Sequence, residues 1–254
     1  MPKKPVVAMQ MYSLREECAA DYPGTIKRLA KIGYRAIQVS GLHKYTAEEI
    51  RKMMDDYGMG SAGTHISLDL LEKEFNKAVD IVMALGTEWL IVPWLPEDRR
   101  KTAGDWRKLG AIMTKLGNKL RGVGLRLAYH NHSFEFNTFN GKYGYDLFYE
   151  SVDRDLVHTE IDTYWIRHAN EDPVAYLKKF AGHIQVVHFK DMGRGPDRPM
   201  VPVGEGILDW PKIIAACKKG GTEWICIEQD NAAPLTPLVA ARVSFGNCKK
   251  WKLV

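Results

Sequence analysis

The segment Leu127-Ala128-Tyr129-His130-Asn131-His132-Ser133-Phe134-Glu135 begins as an apolar run and ends on residues that can bind a metal ion. Three later segments have the same form, and each looks like the end of a β-strand: Glu160-Ile161-Asp162, Val186-Val187-His188-Phe189-Lys190-Asp191 and Ile225-Cys226-Ile227-Glu228-Gln229-Asp230. In a (β/α)8 barrel, the carboxyl ends of the parallel strands meet at one face, where the sites of barrel enzymes lie. The pattern therefore predicts a metal-dependent enzyme built on such a barrel.

The same alternation of apolar runs and amphipathic stretches covers the whole chain. Its 254 residues are close to the ~250 typical of a (β/α)8 TIM barrel. We predict one α/β domain over residues 1–254, with strands at 6–11, 35–39, 60–65, 89–92, 125–130, 156–161, 184–188 and 224–228. Continuous apolar runs indicate strands buried on both faces. An open doubly wound sheet has less support, because no Gly-x-Gly-x-x-Gly turn follows the first strand.

Helix signals lie between these strands. Helices are predicted at 22–31, 46–58, 68–85, 102–121, 146–152, 172–180 and 209–219, the second starting at a capping-box sequence from Thr46 to Glu49. The segment from Pro237 is predicted to form a poor helix that Gly246 interrupts. The stretch from Met192 to Leu208 lacks regular structure, and loops of this length are often functional.

Composition narrows the class of protein and its partners. The chain is 45% hydrophobic and 26% charged, with a net charge of +5 from scattered basic residues. We therefore expect a small-molecule partner and no nucleic-acid groove. The spacing of the four cysteines fits neither a zinc module nor a disulfide framework. No leader and no apolar stretch near the ~20 residues of a membrane helix are visible, so we expect a cytoplasmic protein without membrane contact that is able to form a homo-oligomer.

Three of the strand ends carry ionisable residues, namely Asp162, His188 and Glu228. Because burying such groups unpaired is costly, their common position indicates a shared ion. Mixed carboxylate and imidazole ligands suit a divalent cation, Mn²⁺ first, with Mg²⁺, Co²⁺ or Zn²⁺ as alternatives. Glu160 lies two residues before Asp162, so both side chains face the same side of the strand. Glu160 could therefore join this group, or it could be a charge inside the barrel that is paired with a lysine.

Several motifs together resemble the xylose isomerase-like TIM barrel family of sugar isomerases and epimerases, inosose dehydratases and the endonuclease IV fold. They are YHNHSFEF at 129–136, EIDTYW at 160–165, VHFKD at 187–191, PVGEGILDW at 202–210 and EQD at 228–230. The resemblance runs from about Val6 to Asp230 and implies metal ligands Glu, Asp, His and Glu. Asp162, His188 and Glu228 match the last three of these. The first falls near Tyr129 or His130, so we expect Glu135 to replace it, with His130 or His132 as alternatives.

The resemblance also implies roles for the remaining polar residues. The metal ion would polarise the carbonyl of a keto-sugar, and a base would form an enediolate. Glu228 is the preferred base, followed by His130 or His132. Lys190 and Arg194 would hold substrate oxygens. Three further residues are expected to contact substrate: Trp165, His65 and Glu205. Trp165 would form an apolar platform, at a position where many relatives carry a histidine. Glu205 has an alternative role in which it only shapes a turn.

We predict a sugar isomerase or epimerase from these features. The histidine pair at 130 and 132 keeps a second reaction open, because a neutral imidazole is a good base near pH 7. That reaction is β-elimination from a 3-keto-glycoside or an inosose-like substrate, by a lyase or dehydratase. A third alternative is a sugar-binding barrel without turnover. Nuclease chemistry of the endonuclease IV type has the least support, because it needs more His and Glu ligands than we can place in this chain.

Overall fold

The eight strands of the computed structural model, which describes residues 4–254, form one closed parallel barrel. They are β1 (Val6–Gln10), β2 (Ala36–Ser40), β3 (Gly60–His65), β4 (Trp89–Val92), β5 (Arg126–His130), β6 (Val157–Asp162), β7 (Val186–Phe189) and β8 (Trp224–Ile227). Strands that follow one another in the chain are hydrogen-bonded neighbours, and β8 closes the ring on β1. The predicted (β/α)8 barrel is confirmed, and the open doubly wound sheet is excluded.

Helices connect successive strands. They are α1 (Arg15–Ile32), α2 (Ala47–Asp55), α3 (Leu68–Lys73), α4 (Phe75–Ala84), α5 (Ala103–Gly122), α6 (Gly144–Tyr149), α7 (Thr163–His168), α8 (Pro173–Lys179), α9 (Trp210–Gly220) and α10 (Pro237–Lys250). Short 3₁₀ turns cover Met11–Leu14, Glu97–Arg99 and Phe134–Phe136, and two small antiparallel ladders pair Thr138–Phe139 with Lys142–Tyr143 and Asp191–Met192 with Met200–Val201. Across residues 4–254, none of the helices combines the length and the apolar character needed to span a membrane.

Three predicted helices differ from the observed ones. Helix α1 begins at Arg15 and has non-helical backbone at Asp21, whose carboxylate accepts the Gly24 N–H. The predicted helix at 68–85 is broken at Glu74 (φ −131°, ψ 52°) into α3 and α4. Helix α10 continues through Gly246, because a glycine costs only about 1 kcal/mol within a helix and does not by itself break it.

The barrel interior changes from apolar to polar toward the carboxyl ends of the strands. Its apolar layer contains Ala8, Ala36, Ala62, Trp89, Ile91, Ala128, Val186 and Cys226. Since side chains alternate along a strand, residues two positions further along point the same way. Those residues include Gln10, Gln38, His130, His188 and Glu228, and all five are buried. The fold therefore concentrates polar groups at one end of the barrel axis.

A bulge in β3 brings one more polar side chain to this end. The pairing of β2 with β3 shifts between Ile37 and Val39. Gly63 lies at the shift with φ +116°, and a Cβ built on it would come within 2.6 Å of Ile91 Cδ1. Because a bulge reverses the facing of the residues after it, His65 turns inward rather than Thr64, whose hydroxyl donates to the Val39 carbonyl.

Candidate active site

Glu160 is the centre of a buried network at the carboxyl end of the barrel. Its carboxylate lies 2.8 Å from His65 Nε2, 3.0 Å from His130 Nδ1 and 3.1 Å from His188 Nε2. Gln38 donates a further hydrogen bond to Glu160 through its amide nitrogen, and its amide oxygen lies 2.7 Å from His188 Nε2. Burial raises the pKa of Glu160, but the imidazoles of His188 and His65 more than offset this and hold the pKa well below its usual range. Glu160 is therefore an ionised acceptor that orients imidazole rings.

This placement revises the sequence interpretation of Glu160. The alternative of an interior charge paired with a lysine is not what the structure shows, because its partners are histidines and a glutamine. Glu160 is also not among the residues assigned from the sequence as ligands, bases or substrate contacts. Its position two residues before Asp162 could have indicated such a role, because both side chains then face the same side of β6.

Four buried residues present donor atoms to one point of the site. One ligand atom each from His130, Asp162, His188 and Glu228 lies within 4.8 Å of the others, a spacing that could hold a metal ion. Asp162 Oδ1 accepts the Trp165 N–H, whereas the buried Oδ2 has no hydrogen-bond partner anywhere in residues 4–254. Burial raises the pKa of Asp162 to about 7. A buried carboxylate oxygen without a partner is costly, and a cation would satisfy it.

A second set of possible ligands overlaps the first. His65, His130, Glu160 and His188 also place donor atoms within 4.8 Å of one another. The carboxylate of Glu160 is already surrounded by hydrogen-bond donors, whereas one oxygen of Asp162 accepts no hydrogen bond within residues 4–254. Metal-bound histidines commonly donate their second N–H to a carboxylate, and Glu160 is placed to accept from His130 and His188. The group containing Asp162 is therefore the better candidate metal centre.

Glu228 and Lys190 form an ion pair beside this group. Lys190 Nζ lies 3.1 Å from Glu228 Oε2, 2.7 Å from Asp230 Oδ2 and 3.7 Å from Asp162 Oδ2. Burial lowers the pKa of Lys190, but these three carboxylates more than offset it and raise the pKa above its usual value. Lys190 therefore remains an ammonium. Asp230, which forms the shortest of these contacts with Lys190, is not among the residues predicted for the site. It lies two residues after Glu228, and this spacing could have indicated that the two side chains face the same way.

His188, like Lys190, lies among carboxylates that stabilise its positively charged form. Its Nδ1 lies 3.0 Å from Glu228 Oε2, and its Nε2 faces Glu160. Burial lowers the pKa of His188, but the carboxylates of Glu160 and Glu228 raise it to about 10. The excess of carboxylates thus favours cations at this point.

His132 lies beside His130 in a less polar environment. The centroids of the two rings are 5.0 Å apart, and His132 also stacks on Phe134 and lies 5.3 Å from Trp165. Burial and the neighbouring His130 lower the pKa of His132 to about 2, so its ring is neutral. Its Nδ1 has no hydrogen-bond partner in the described part of the chain. His132 therefore has one buried ring nitrogen that no group in the described chain satisfies.

The structure does not bring Glu135 to the candidate metal centre. Its carboxylate accepts the Tyr129 hydroxyl at 2.7 Å and the His132 backbone N–H at 2.8 Å. Tyr129 has the opposite facing from His130 on β5 and packs on Phe148 of α6, so it points away from the barrel axis. The 3₁₀ turn after β5 carries Glu135 to that outer side. We therefore replace Glu135 with His130 as the candidate first ligand.

The four residues predicted to contact substrate have different positions. His65 lines the cavity at the barrel mouth. The Trp165 ring lies 5.1 Å below the Lys190 ammonium and next to His132, but it does not line that cavity. Arg194 is exposed on the segment after β7, and Glu205 accepts a hydrogen bond from Asn247 in α10. The structure therefore brings His65 to the cavity and leaves Arg194 and Glu205 outside its lining.

The cavity at the barrel mouth has a volume of about 510 Å³. Its lining includes His65, His130, His132, Lys190, Glu228 and Asp230, together with Tyr12, Ser40, Pro93 and Trp94. Its volume falls within the about 300–1,000 Å³ of typical small-molecule sites. The candidate metal centre thus opens into a cavity suited to a small molecule.

Replacing Glu160 with Gln is expected to weaken Mn²⁺ binding by about 10- to 100-fold, the usual effect of losing a carboxylate behind metal-bound histidines. The amide keeps the shape but loses the charge that fixes the rings of His130 and His188. Equilibrium titration of the metal-free protein measures this change. Glu150→Gln, at an exposed position paired with Lys142, is the matched control and should bind Mn²⁺ like the wild type. Unchanged affinity in Glu160→Gln would contradict the orienting role.

Comparison with known proteins agrees with this architecture. An inosose dehydratase from Geobacillus kaustophilus is 25% identical over 189 residues, which are 66% of this chain and 61% of that protein. One from Lacticaseibacillus casei is 21% identical over 81% of this chain and 80% of its own length. The crystal structure of a sugar phosphate isomerase/epimerase from Parabacteroides distasonis has 25% identity and a TM-score of 0.84, covering 99% of this chain and 96% of that one.

The similarity to one protein family also covers most of the chain. The family described as the xylose isomerase-like TIM barrel matches residues 26–245. This range contains seven complete barrel strands and the whole candidate metal centre. The chain therefore belongs to the xylose isomerase-like TIM barrel family.

Proposed function

We propose that this protein is a divalent-metal enzyme that removes a proton next to the carbonyl of a keto-sugar or sugar derivative. The observation that carries the proposal is the buried oxygen of Asp162 that accepts no hydrogen bond within residues 4–254 and lies among donor atoms of His130, His188 and Glu228. These four residues would hold the ion, with Mn²⁺ preferred and Mg²⁺, Co²⁺ or Zn²⁺ as alternatives. A bound divalent ion supplies Lewis-acid polarisation of a substrate carbonyl.

Glu228 is the proposed base. Burial raises its pKa, but Lys190 and His188 more than offset this and hold the pKa well below its usual range, so the carboxylate is ionised. Substrate oxygens that bind the Lys190 ammonium would replace part of this ion pairing. Glu228 would then be free to accept a proton from carbon, and Lys190 would stabilise the negative charge that develops on oxygen.

The first candidate reaction is isomerisation or epimerisation through an enediolate. It requires a group that returns the proton at a second position. Glu228, once it has accepted the proton, can return it to the neighbouring carbon on the same face of the enediolate. His132 is neutral, with its pKa lowered to about 2, so it carries no additional proton to donate in this step. The similarity to the Parabacteroides isomerase/epimerase supports the same reaction.

The second candidate reaction is β-elimination, as in a lyase or dehydratase. Two curated relatives carry the name inosose dehydratase. The specific structural support is the 3.1 Å separation of Lys190 Nζ from Glu228 Oε2. A base and a protonated amine in contact would remove a carbon-bound proton and donate a proton to the departing oxygen on the same side of the substrate.

Hydrogen exchange in D₂O tests the proposal and separates the two reactions. The purified protein, loaded with Mn²⁺, is incubated with keto-sugars and 3-keto-glycosides, and products are followed by NMR. Deuterium in a rearranged sugar is expected for an isomerase or epimerase, whereas release of water or an aglycone is expected for a lyase. Binding of these sugars without any exchange would instead indicate the sugar-binding barrel and contradict enzymatic function. Protein treated with a chelator serves as the metal-free control.

A further inference from the structure

We infer that the half of the barrel mouth formed by β1–β4 binds a second sugar ring, so that the substrate is an uncharged glycoside rather than a sugar phosphate. The inference deepens the proposed function and rests on it for the identity of the reacting sugar. It concerns the part of the cavity lined by residues at the ends of β1 to β4, none of which belongs to the group His130, Asp162, His188 and Glu228. Its evidence is the division of the cavity lining, the exposure of two aromatic rings and the distribution of charge.

The cavity has two chemically different halves. His130, Lys190, Glu228 and Asp230, which surround the candidate metal centre, come from the ends of β5, β7 and β8. Among the residues that the structure describes, those that line the cavity at the ends of the first four strands include no carboxylate and no lysine. They are Tyr12, Ser40, His65, Pro93 and Trp94. Because β1 to β4 are consecutive in the barrel, these residues form one continuous side of the mouth. A ligand bound at the metal centre and larger than one ring would extend onto this side.

Two aromatic rings at the edges of this side are unusually exposed. Tyr12 is 44% exposed and Trp94 is 49% exposed, although both line the cavity. Aromatic side chains that remain exposed in a concave site offer apolar faces to ligand carbon atoms. Ser40, on β2 between them, offers a hydroxyl group, whereas the His65 imidazole on β3 is already hydrogen-bonded to Glu160. Apolar faces combined with a few hydrogen-bonding groups are suited to the C–H face and hydroxyls of a pyranose.

The Tyr12 ring is held in place by a neighbouring arginine. The Arg15 guanidinium lies 4.7 Å from the ring centroid, and it donates hydrogen bonds to the carbonyls of Tyr12 and Asp230. Arg15 is thereby occupied with the protein and does not line the cavity. The ring is therefore positioned next to the loop that carries Asp230 while much of it remains open to a ligand.

The charges of the cavity argue against a phosphate on the substrate. Among the cavity-lining residues in the described chain, Lys190 is the one lysine or arginine, and it is already paired with Glu228 and Asp230. A phosphate near this lysine would face the same two carboxylates. The β1–β4 side contributes neither lysine nor arginine to the lining. Charge and shape together therefore favour a neutral sugar ring over a phosphate at this position.

Equilibrium binding to the metal-loaded protein tests the inference without requiring turnover. Cellobiose, maltose, sophorose and lactose are compared with glucose and glucose 6-phosphate by ligand-observed NMR titration. We expect at least one disaccharide to bind about tenfold more tightly than glucose, and glucose 6-phosphate to show no gain. Trp94→Ala and Tyr12→Ala should each remove most of that advantage, with glucose affinity changed less than about twofold. Tyr57→Ala, at an exposed tyrosine outside the cavity lining, is the matched control.

The outcomes separate this inference from the proposed function. Tighter binding of a disaccharide that depends on Trp94 or Tyr12 supports the subsite even if no deuterium exchange is found. Tightest binding of glucose 6-phosphate, or no disaccharide advantage over glucose, would overturn the inference whether or not exchange occurs. A disaccharide advantage that survives both substitutions would also overturn it, because the second ring would then bind elsewhere.

Discussion

Replacing Glu228 with Gln is expected to slow deuterium exchange into the substrate by about 10²- to 10⁴-fold, the usual contribution of a general base. The amide keeps the size of the side chain but cannot accept a proton from carbon. It also loses the charge that pairs with Lys190 and His188 at 3.1 and 3.0 Å. Exchange is measured by NMR at saturating Mn²⁺, and bound metal is determined on the same sample.

Two controls make the Glu228 result specific to the base. Glu223→Gln changes an exposed glutamate just before the amino end of the same strand, and its exchange rate should equal that of the wild type. Measured metal content separates loss of the base from loss of a ligand. If Glu228→Gln retains both metal and full exchange, another residue is the base, and His132 becomes the next candidate.

Asp162→Asn is expected to weaken Mn²⁺ binding by more than about 100-fold, which exceeds the effect predicted for a residue behind the ligands. Asp162 contributes a carboxylate oxygen that accepts no hydrogen bond within residues 4–254 and has only the Lys190 ammonium at 3.7 Å as an ionic neighbour. The amide leaves the hydrogen bond to the Trp165 N–H intact, because that bond uses the other oxygen. The expected loss is therefore one of metal affinity rather than of local structure, and calorimetric titration measures it.

Asp230→Asn is the matched control for Asp162→Asn. It removes a carboxylate from the same cavity and from the same lysine, at 2.7 Å from Lys190 Nζ, but Asp230 is outside both groups of candidate ligands. We expect a loss of less than about tenfold, since only a nearby charge is removed. Equal losses in the two variants would show that general electrostatics, and not ligation by Asp162, determine metal affinity.

The fold and three of the four residues of the candidate metal centre follow from local sequence patterns. Apolar strands that end on Asp162, His188 and Glu228 predict convergence at one face, because a parallel barrel leaves no other arrangement for their carboxyl ends. The structure places donor atoms of these three residues together. Period-two alternation therefore predicts the placement of these three residues, each of which lies near the end of, or directly after, a regular strand.

The residues that prediction misplaced lie where the chain leaves regular structure. Glu135 follows a 3₁₀ turn that directs it toward Tyr129, and no strand periodicity applies there. His65, which we predict to contact substrate, does line the cavity, but its inward orientation depends on a shifted register at Gly63 that strand alternation does not reveal. The role of Glu160 at the site is not predicted for another reason. Its partners come from β2, β3, β5 and β7, and only the closed barrel brings them together.

An anomalous diffraction map of Mn²⁺-loaded crystals is the most direct test of the metal centre. We predict one peak bounded by His130 Nε2, Asp162 Oδ2, His188 Nδ1 and Glu228, with Glu160 behind the two imidazoles rather than at the ion. A peak bounded by His65, His130, Glu160 and His188, or one that includes Glu135, would contradict this assignment and the roles derived from it.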